Sequence, residues 1–379
     1  MKFLFASDSF KGTISSARAA ELLKESALRI FPEAETEGIS VGDGGEGTVE
    51  AVVNTLKGQR VDLDAAGPLG KRVRASYGVT GRGVIMEMAS ASGLPLVPEE
   101  RRNPLYTTTY GTGELILHAL EQGHRNFYLG IGGSATNDGG IGAMTALGIR
   151  FLDKNGNKLS GYGQDLEKIA EIDVSGLNPL VRDARFTVMC DVTNPLLGEN
   201  GATRVFGPQK GAKGEVLERL EKGMEIYADI LEKTLGKKIR SIPGAGAAGG
   251  LGAALCGFLN ARMQSGIEAV LELIRFDELA GEADLVVTGE GMTDRQSAFG
   301  KTISGIAAHC QRLGVPVVVL SGGIGRGTDS LYELGVDTMM SAVCRPMGQA
   351  EACECAEILF SEAADRMFRL LQVGMKIKK

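Results

Sequence analysis

The sequence predicts an α/β protein in which a doubly wound parallel-sheet domain is interrupted by a second α/β domain. Three observations predict this. Short β-rich runs alternate with helical periodicity at both ends of the chain, the middle follows a different pattern that includes a hairpin, and glycine clusters where strands end. Phe3-Leu4-Phe5-Ala6 is a short apolar run of the kind that forms a buried strand. Ile14, Ala17, Leu23, Ala27 and Ile30 mark the face of a following helix, with Ser15 or Ser16 at its start. Residues 39–41 read as a second strand, and Val49, Val52, Val53 and Leu56 as the face of a second helix. The last third repeats the scheme, with strands at 284–288, 315–320 and 336–341 and helices at 303–313 and from about Asp329. Pro316 falls near the start of its strand, where a missing N–H is tolerated. A final helix carries Ala352, Ala356, Leu359, Ala363, Met367 and Leu370.

Between these ends, residues 73–79 and 83–88 read as a hairpin around Thr80-Gly81-Arg82. Residues 114–120 read as a helix, 126–131 and 186–191 as strands, and 215–235 as a long amphipathic helix. Ser265-x-x-Glu268 has the form of a capping box. The expected layout is a flavodoxin- or Rossmann-like domain from residues 1–69 and 282–379, with an inserted α/β domain at 70–281. The length of 379 residues fits two or three domains at roughly 150 residues each.

Composition narrows the partners. There are 41 Lys plus Arg against 47 Asp plus Glu, a formal charge of −6, with no internal basic stretch, so nucleic acid is an unlikely partner by charge. Lys376, Lys378 and Lys379 read as a solvated tail. Six widely spaced cysteines do not make a disulfide framework, and three histidines do not make a zinc site. A reducing cytoplasm is the expected compartment. The apolar run at 3–6 is too short for a signal-peptide core, and the Gly-interrupted stretch 245–259 is too short for a membrane span. A homo-oligomer is compatible with the sequence. Glycine is the outlier, at 54 residues about twice the usual share of about 7%. With only 11 Pro the chain is neither collagen-like nor a disordered Pro/Gly segment.

Four segments share a strand, Gly/Asp-rich loop, helix layout: residues 41–48, 130–140, 288–294 and 321–325; a fifth, 244–252, opens a helix after a weaker strand at 238–242. Loops at the carboxyl ends of parallel strands bind ligands in open α/β sheets, and glycine lets successive N–H groups face an anion. Asp8, Asp43, Asp138, Asp191 and Asp294 each stand just past an expected strand. Carboxylates beside phosphates make sense with Mg²⁺ between them, or with one acting as base toward an attacking hydroxyl. Gly300-Lys301-Thr302 resembles the end of a Walker A loop, but Arg295 stands where its first Gly belongs. Gly244-x-Gly246-x-x-Gly249 fits a dinucleotide fingerprint in form and is the sole support for a nicotinamide-dependent oxidoreductase. The run before it meets Pro243, and the capping box accounts for Glu268.

Six strings together, 6–12, 43–48, 132–140, 190–195, 206–211 and 243–250, resemble the bacterial glycerate kinase family (type I). The resemblance runs from residue 2 to the final helix. It implies ATP-dependent phosphorylation of D-glycerate to a phosphoglycerate, and two α/β domains with the active site in the cleft between them. Within the matched motifs it implies Mg²⁺ held by some of Asp8, Asp191 and Asp294. Asp191 is the first choice, and Asp294 the second, for accepting the hydroxyl proton. Lys11, Lys210 and Lys301 would face the triphosphate, cradled by the backbone of Gly132, Gly133 and Ser134 and of the loop holding Gly246, Gly249 and Gly250. Two departures stand out. The family usually has Pro where Ser7 stands, and Gly-Glu-Gly-Arg where this chain has Met292 before Thr293 and Asp294. If that Arg holds a carboxylate or phosphate, a neighbour such as Arg295 takes its part or substrate preference differs; its absence also keeps open a metabolite-binding homologue without catalysis. Arg295 and Arg204 are the candidates for the glycerate carboxylate.

Overall fold

The computed structural model describes residues 1–10, 12–298 and 301–377. The chain forms two compact units: Met1–Asp43, Glu50–Lys57 and Ile267–Lys379 make the first, and Gly44–Val49 and Gly58–Gly266 the second.

In the first unit five parallel strands lie in the order Glu35–Ser40, Lys2–Ser7, Leu285–Thr288, Val317–Ser321, Thr338–Ser341. Numbered along the chain within this unit the order is 2-1-3-4-5, the flavodoxin-like doubly wound arrangement. The central strands are unbroken apolar runs because helices cover both faces. Phe3, Phe5, Leu285, Val287 and Leu320 pack on one face with helices Ser16–Ile30 and Ala356–Lys376. There the Phe368 ring centroid lies 5.4 Å from that of Phe3 and 6.2 Å from that of Phe5. Val319 packs on the other face with Ile303 and Ala307 of helix Thr302–Leu313. Helix Ser16–Ile30 starts where the sequence places it, with Ser15 Oγ accepting the Arg18 N–H at 3.2 Å.

The second unit holds a mixed six-stranded sheet, in the order Arg262–Gln264, Arg185–Met189, Asn126–Gly130, Gly83–Glu87, Arg72–Thr80, Gln59–Ala66. The first four run parallel, and Arg72–Thr80 runs antiparallel to both of its neighbours, Gly83–Glu87 and Gln59–Ala66. The expected hairpin is present, with Thr80 opposite Gly83 and Gly81-Arg82 as its loop. Phe127 and Phe186 stack between neighbouring strands at 4.8 Å. The long helix spans Glu215–Leu235 as the periodicity requires. The apolar stretch after residue 245 becomes helix Leu251–Leu259, all nine residues of which are buried.

Apart from Gly44–Val49, which groups with the second unit, the chain passes between units at 57/58 and 266/267, whereas the sequence expectation put the divisions at 69/70 and 281/282. Strand Gln59–Ala66 carries only a short alternation, Arg60 to Asp64, and none of its first six residues is buried, so no apolar run marks it in the sequence. It pairs with Arg72–Thr80 from Gln59↔Val79 to Ala66↔Arg72 and so belongs to the second sheet. Helices Gly266–Ile274 and Phe276–Gly281 join the first unit through His309, whose ring nitrogens meet Asp277 at 2.5 Å and Glu268 at 3.1 Å.

Gly289, directly after strand Leu285–Thr288, has no room for a side chain. A Cβ there would run into the carbonyl oxygen of Leu320 on the neighbouring strand. Gly289→Ala is therefore expected to cost about 1–3 kcal/mol. A urea unfolding midpoint equal to that of the wild type would show that the strand ends yield freely.

Candidate functional site

Open α/β sheets bind ligands outside the carboxyl ends of their strands, where the strand order reverses. In the first unit that point lies between Lys2–Ser7 and Leu285–Thr288. The chain leaves the two strands side by side, the Asp8 N–H donating to the Gly289 carbonyl at 3.0 Å. A pocket of about 780 Å³ opens here, with Asp8, Asp43, Glu290 and Lys301 in its wall. A second pocket, of about 280 Å³, lies beside the edge strand Glu35–Ser40 with one carboxylate, Glu21, and one ammonium, Lys24, so no acids converge there.

Each polar side chain of the larger pocket is placed by its loop. Asp8 Oδ1 accepts the Ser9 N–H at 2.6 Å, and Oδ2 accepts the Thr302 hydroxyl at 3.1 Å. The end of strand Lys2–Ser7 is thereby tied to the start of helix Thr302–Leu313, directly after Lys301. The Asp294 N–H donates to Ser297 Oγ at 3.1 Å, and Ser297 Oγ in turn donates to Glu290 Oε1. Burial pushes the Glu290 carboxyl up; the Ser297 hydrogen bond and the Lys301 ammonium pull it back, and the charges of Asp8 and Asp294 raise it further. Glu290 was not among the expected site residues. It belongs to the Gly/Asp-rich loop at 288–294, from which the sequence expectation took Asp294 and not Glu290. Asp8, Asp294 and Lys301 are thus gathered around a carboxylate the sequence reading passed over. Lys11 and Gly300 lie outside the described residues.

The remaining expected residues belong to the second unit. Asp191 is exposed; its Oδ1 accepts both the Ser265 hydroxyl at 3.0 Å and the Gly266 N–H at 2.9 Å. Gly132 and Gly133 are exposed beyond strand Asn126–Gly130, and Ser134 is buried. Gly246, Gly249 and Gly250 are buried. A Cβ at Gly246 would meet the Pro195 carbonyl, and one at Gly249, where φ is +65°, the Thr136 carbonyl. The Gly246 N–H already donates to the Asn194 carbonyl at 3.0 Å. Close backbone packing therefore accounts for glycine in this loop. Residues 238–242 form no strand, so the dinucleotide fingerprint lacks the strand it requires. Arg204 is forked onto Glu218 at 2.5 and 2.9 Å, and Arg295 is exposed. Among the described residues no group of three His, Cys, Asp or Glu is placed to hold a metal by itself, and no helix is long and apolar enough to cross a membrane.

Lys210 is 2% exposed and donates to the Thr136 carbonyl at 2.6 Å. Burial pushes its ammonium down to about 7, against the pull of the Asp138 charge. Asp138 is fully buried and accepts the N–H and hydroxyl of Thr109, both at 2.7 Å, and the N–H of Gly140 at 3.0 Å. The sign of the pH effect follows. Below about pH 7 Lys210 is charged in the folded and the unfolded chain alike, and the burial cost is complete. Between about 7 and the ordinary 10.5 the unfolded chain keeps a proton that the folded chain has released, so stability rises with pH. Wild type should therefore gain stability over Lys210→Met across that window. A flat difference in unfolding free energy from pH 7 to pH 10 would refute this.

The sequence model described as the glycerate kinase family matches residues 3–372. A glycerate kinase of Halalkalibacterium halodurans is 45% identical over 363 residues, spanning 95% of this chain and 96% of its own. A glycerate 2-kinase of Escherichia coli is 43% identical over 378 residues, 99% of each. The crystal structure of a chain described as glycerate kinase 2 from Salmonella typhimurium LT2 superposes with a TM-score of 0.92 at 41% identity, covering 100% of both chains.

Proposed function

The chain belongs to the glycerate kinase family and phosphorylates glycerate, and we propose that ATP is the donor, D-glycerate the acceptor and Mg²⁺ the accompanying ion. The observation that carries the residue assignment is the convergence of Asp8, Glu290, Asp294 and Lys301 at the point where the first unit's strand order reverses.

Phosphoryl transfer needs an oriented hydroxyl, neutralised phosphate charge and an in-line approach. Asp8 and Asp294 offer hard carboxylate oxygens of the kind that hold Mg²⁺ one or two at a time beside phosphates. When bound, the ion neutralises charge on the phosphates. Lys301 adds an ammonium from the start of its helix, where the first N–H groups favour an anion as well. Asp191, the first choice for base on sequence grounds, has Oδ1 engaged twice. We assign the hydroxyl proton to Glu290: Ser297 holds Oε1, and Oε2 takes no hydrogen bond among the described residues.

The first test is ADP release by the wild-type chain supplied with Mg-ATP and D-glycerate, with phosphorus NMR of the product to locate the new ester. Release no faster than without glycerate sinks the reading. Asp294→Asn should lower kcat by about 100-fold or more. Glu290→Gln should lower kcat by about 10²–10⁴-fold with little change in either KM. Near-normal turnover in Glu290→Gln returns the proton to another carboxylate. Lys301→Ala should chiefly raise the KM for ATP; if KM and kcat are both unchanged, Lys301 is a bystander.

A further inference from the structure

The pocket of the first unit exceeds what glycerate needs. Its volume, about 780 Å³, falls among sites of about 300–1,000 Å³ that enclose drug-sized molecules. A three-carbon hydroxy acid fills a small part of that space. The wall is also chemically divided, and the strand order shows where the division runs. Among the described residues four charged side chains line the pocket. Asp43, Asp8 and Glu290 follow strands Glu35–Ser40, Lys2–Ser7 and Leu285–Thr288, and Lys301 begins helix Thr302–Leu313. The lining from the other side of the sheet carries no charge. Met292 and Ile324 come from the short paired strands Met292–Thr293 and Gly323–Ile324. Val343 and Met347 follow the edge strand Thr338–Ser341. With neighbouring strands about 4.8 Å apart, that edge stands roughly 14 Å from Lys2–Ser7, three intervals along the sheet.

The apolar end is open. Met292 is 57% exposed and Ile324 37%, although both are large and apolar. Met292 lies over Gly323, where a Cβ would stand 3.0 Å from its Cε. Two thioethers and two aliphatic side chains suit a flat heteroaromatic ring, because sulfur packs favourably on aromatic systems. They offer nothing to a hydroxy acid, whose polar atoms would lose water without gaining partners.

We propose that Met292, Ile324, Val343 and Met347 receive the adenine ring of the phosphoryl donor, so that the nucleotide lies along the carboxyl edge of the sheet with its phosphates toward Lys301. The inference rests on the reading of the chain as an ATP-dependent kinase. It adds the place of the nucleoside, and it turns the exposed Met292 into a contact for the donor.

Cys353, exposed on the same wall, supplies a readout that does not depend on turnover. The full chain is alkylated with iodoacetamide, and Cys353 is followed by peptide mass spectrometry. AMP or β,γ-imido-ATP at ten times its Kd should slow labelling by about tenfold, whereas D-glycerate should not. Met292→Glu and Met347→Glu should each weaken calorimetric binding of β,γ-imido-ATP by about tenfold or more, since each sets a carboxylate against the ring. The KM for glycerate should stay within about twofold in both variants. Protection of Cys353 by glycerate alone overturns the proposal. So does labelling at full rate under saturating nucleotide together with unchanged nucleotide affinity in both variants. If the wild type binds nucleotide as expected yet releases no ADP with glycerate, the kinase reading fails while the adenine site stands. If it turns over but the nucleotide ignores this wall, the reverse holds.

Discussion

Strand Lys2–Ser7 must lie parallel to Leu285–Thr288 before Asp8, Glu290 and Lys301 can line one pocket. The two strands come from opposite ends of the chain, and their register, Phe3 to Leu285 through Phe5 to Val287, sets Asp8 beside Gly289. Gly289 then turns out against the Leu320 carbonyl, which leaves the following Glu290 in the pocket wall. The entropy of closing so long a loop grows only slowly, by about 0.6 kcal/mol for each doubling of length. A long insertion between two adjacent strands is therefore tolerable if it carries its own core, and Gly58–Gly266 has its own six-stranded sheet and core.

Charge sets the second constraint. Both substrates are anions, yet three of the four charged residues lining the pocket are acids. Three carboxylates to one ammonium repel bare phosphate, and this is the physical reason the proposed reading includes Mg²⁺. The acids are also differentiated by their partners. Both oxygens of Asp8 are engaged and brace a strand end against a helix start. Burial disfavours the charge of Glu290, and two neighbours, Asp8 and Asp294, share its sign. The carboxylates of one cluster thus differ in burial and in hydrogen-bond partners.

Glycine had two meanings that one residue type could not separate. The Gly-rich loop at 244–252 and the Gly-Glu-Gly loop at 289–291 look alike in sequence. The first is buried with its backbone against the carbonyls of Pro195 and Thr136; in the second, Gly289 meets the Leu320 carbonyl while Gly291 lines the pocket. Whether a missing Cβ makes way for a ligand or for another segment of backbone depends on what stands opposite, and that partner is remote in the chain. Lys210 shows the same ambiguity. Its motif suggested a phosphate ligand, while its ammonium points to the Thr136 carbonyl inside the second unit.

Local periodicity and turn chemistry alone determined much. The buried strands near Phe3 and Val317, the helix Glu215–Leu235, the hairpin at Gly81-Arg82 and the acids at strand ends are all written within short windows of sequence. The motif strings were enough for the family. Tertiary structure decided the rest: that Gln59–Ala66 joins the second sheet, that the helices after Gly266 pack on the first, and that Glu290 stands among Asp8, Asp294 and Lys301. These depend on which distant strands lie side by side. Residues hundreds of positions apart carry no local pattern that records their pairing, so the site exists only once the sheet has been assembled.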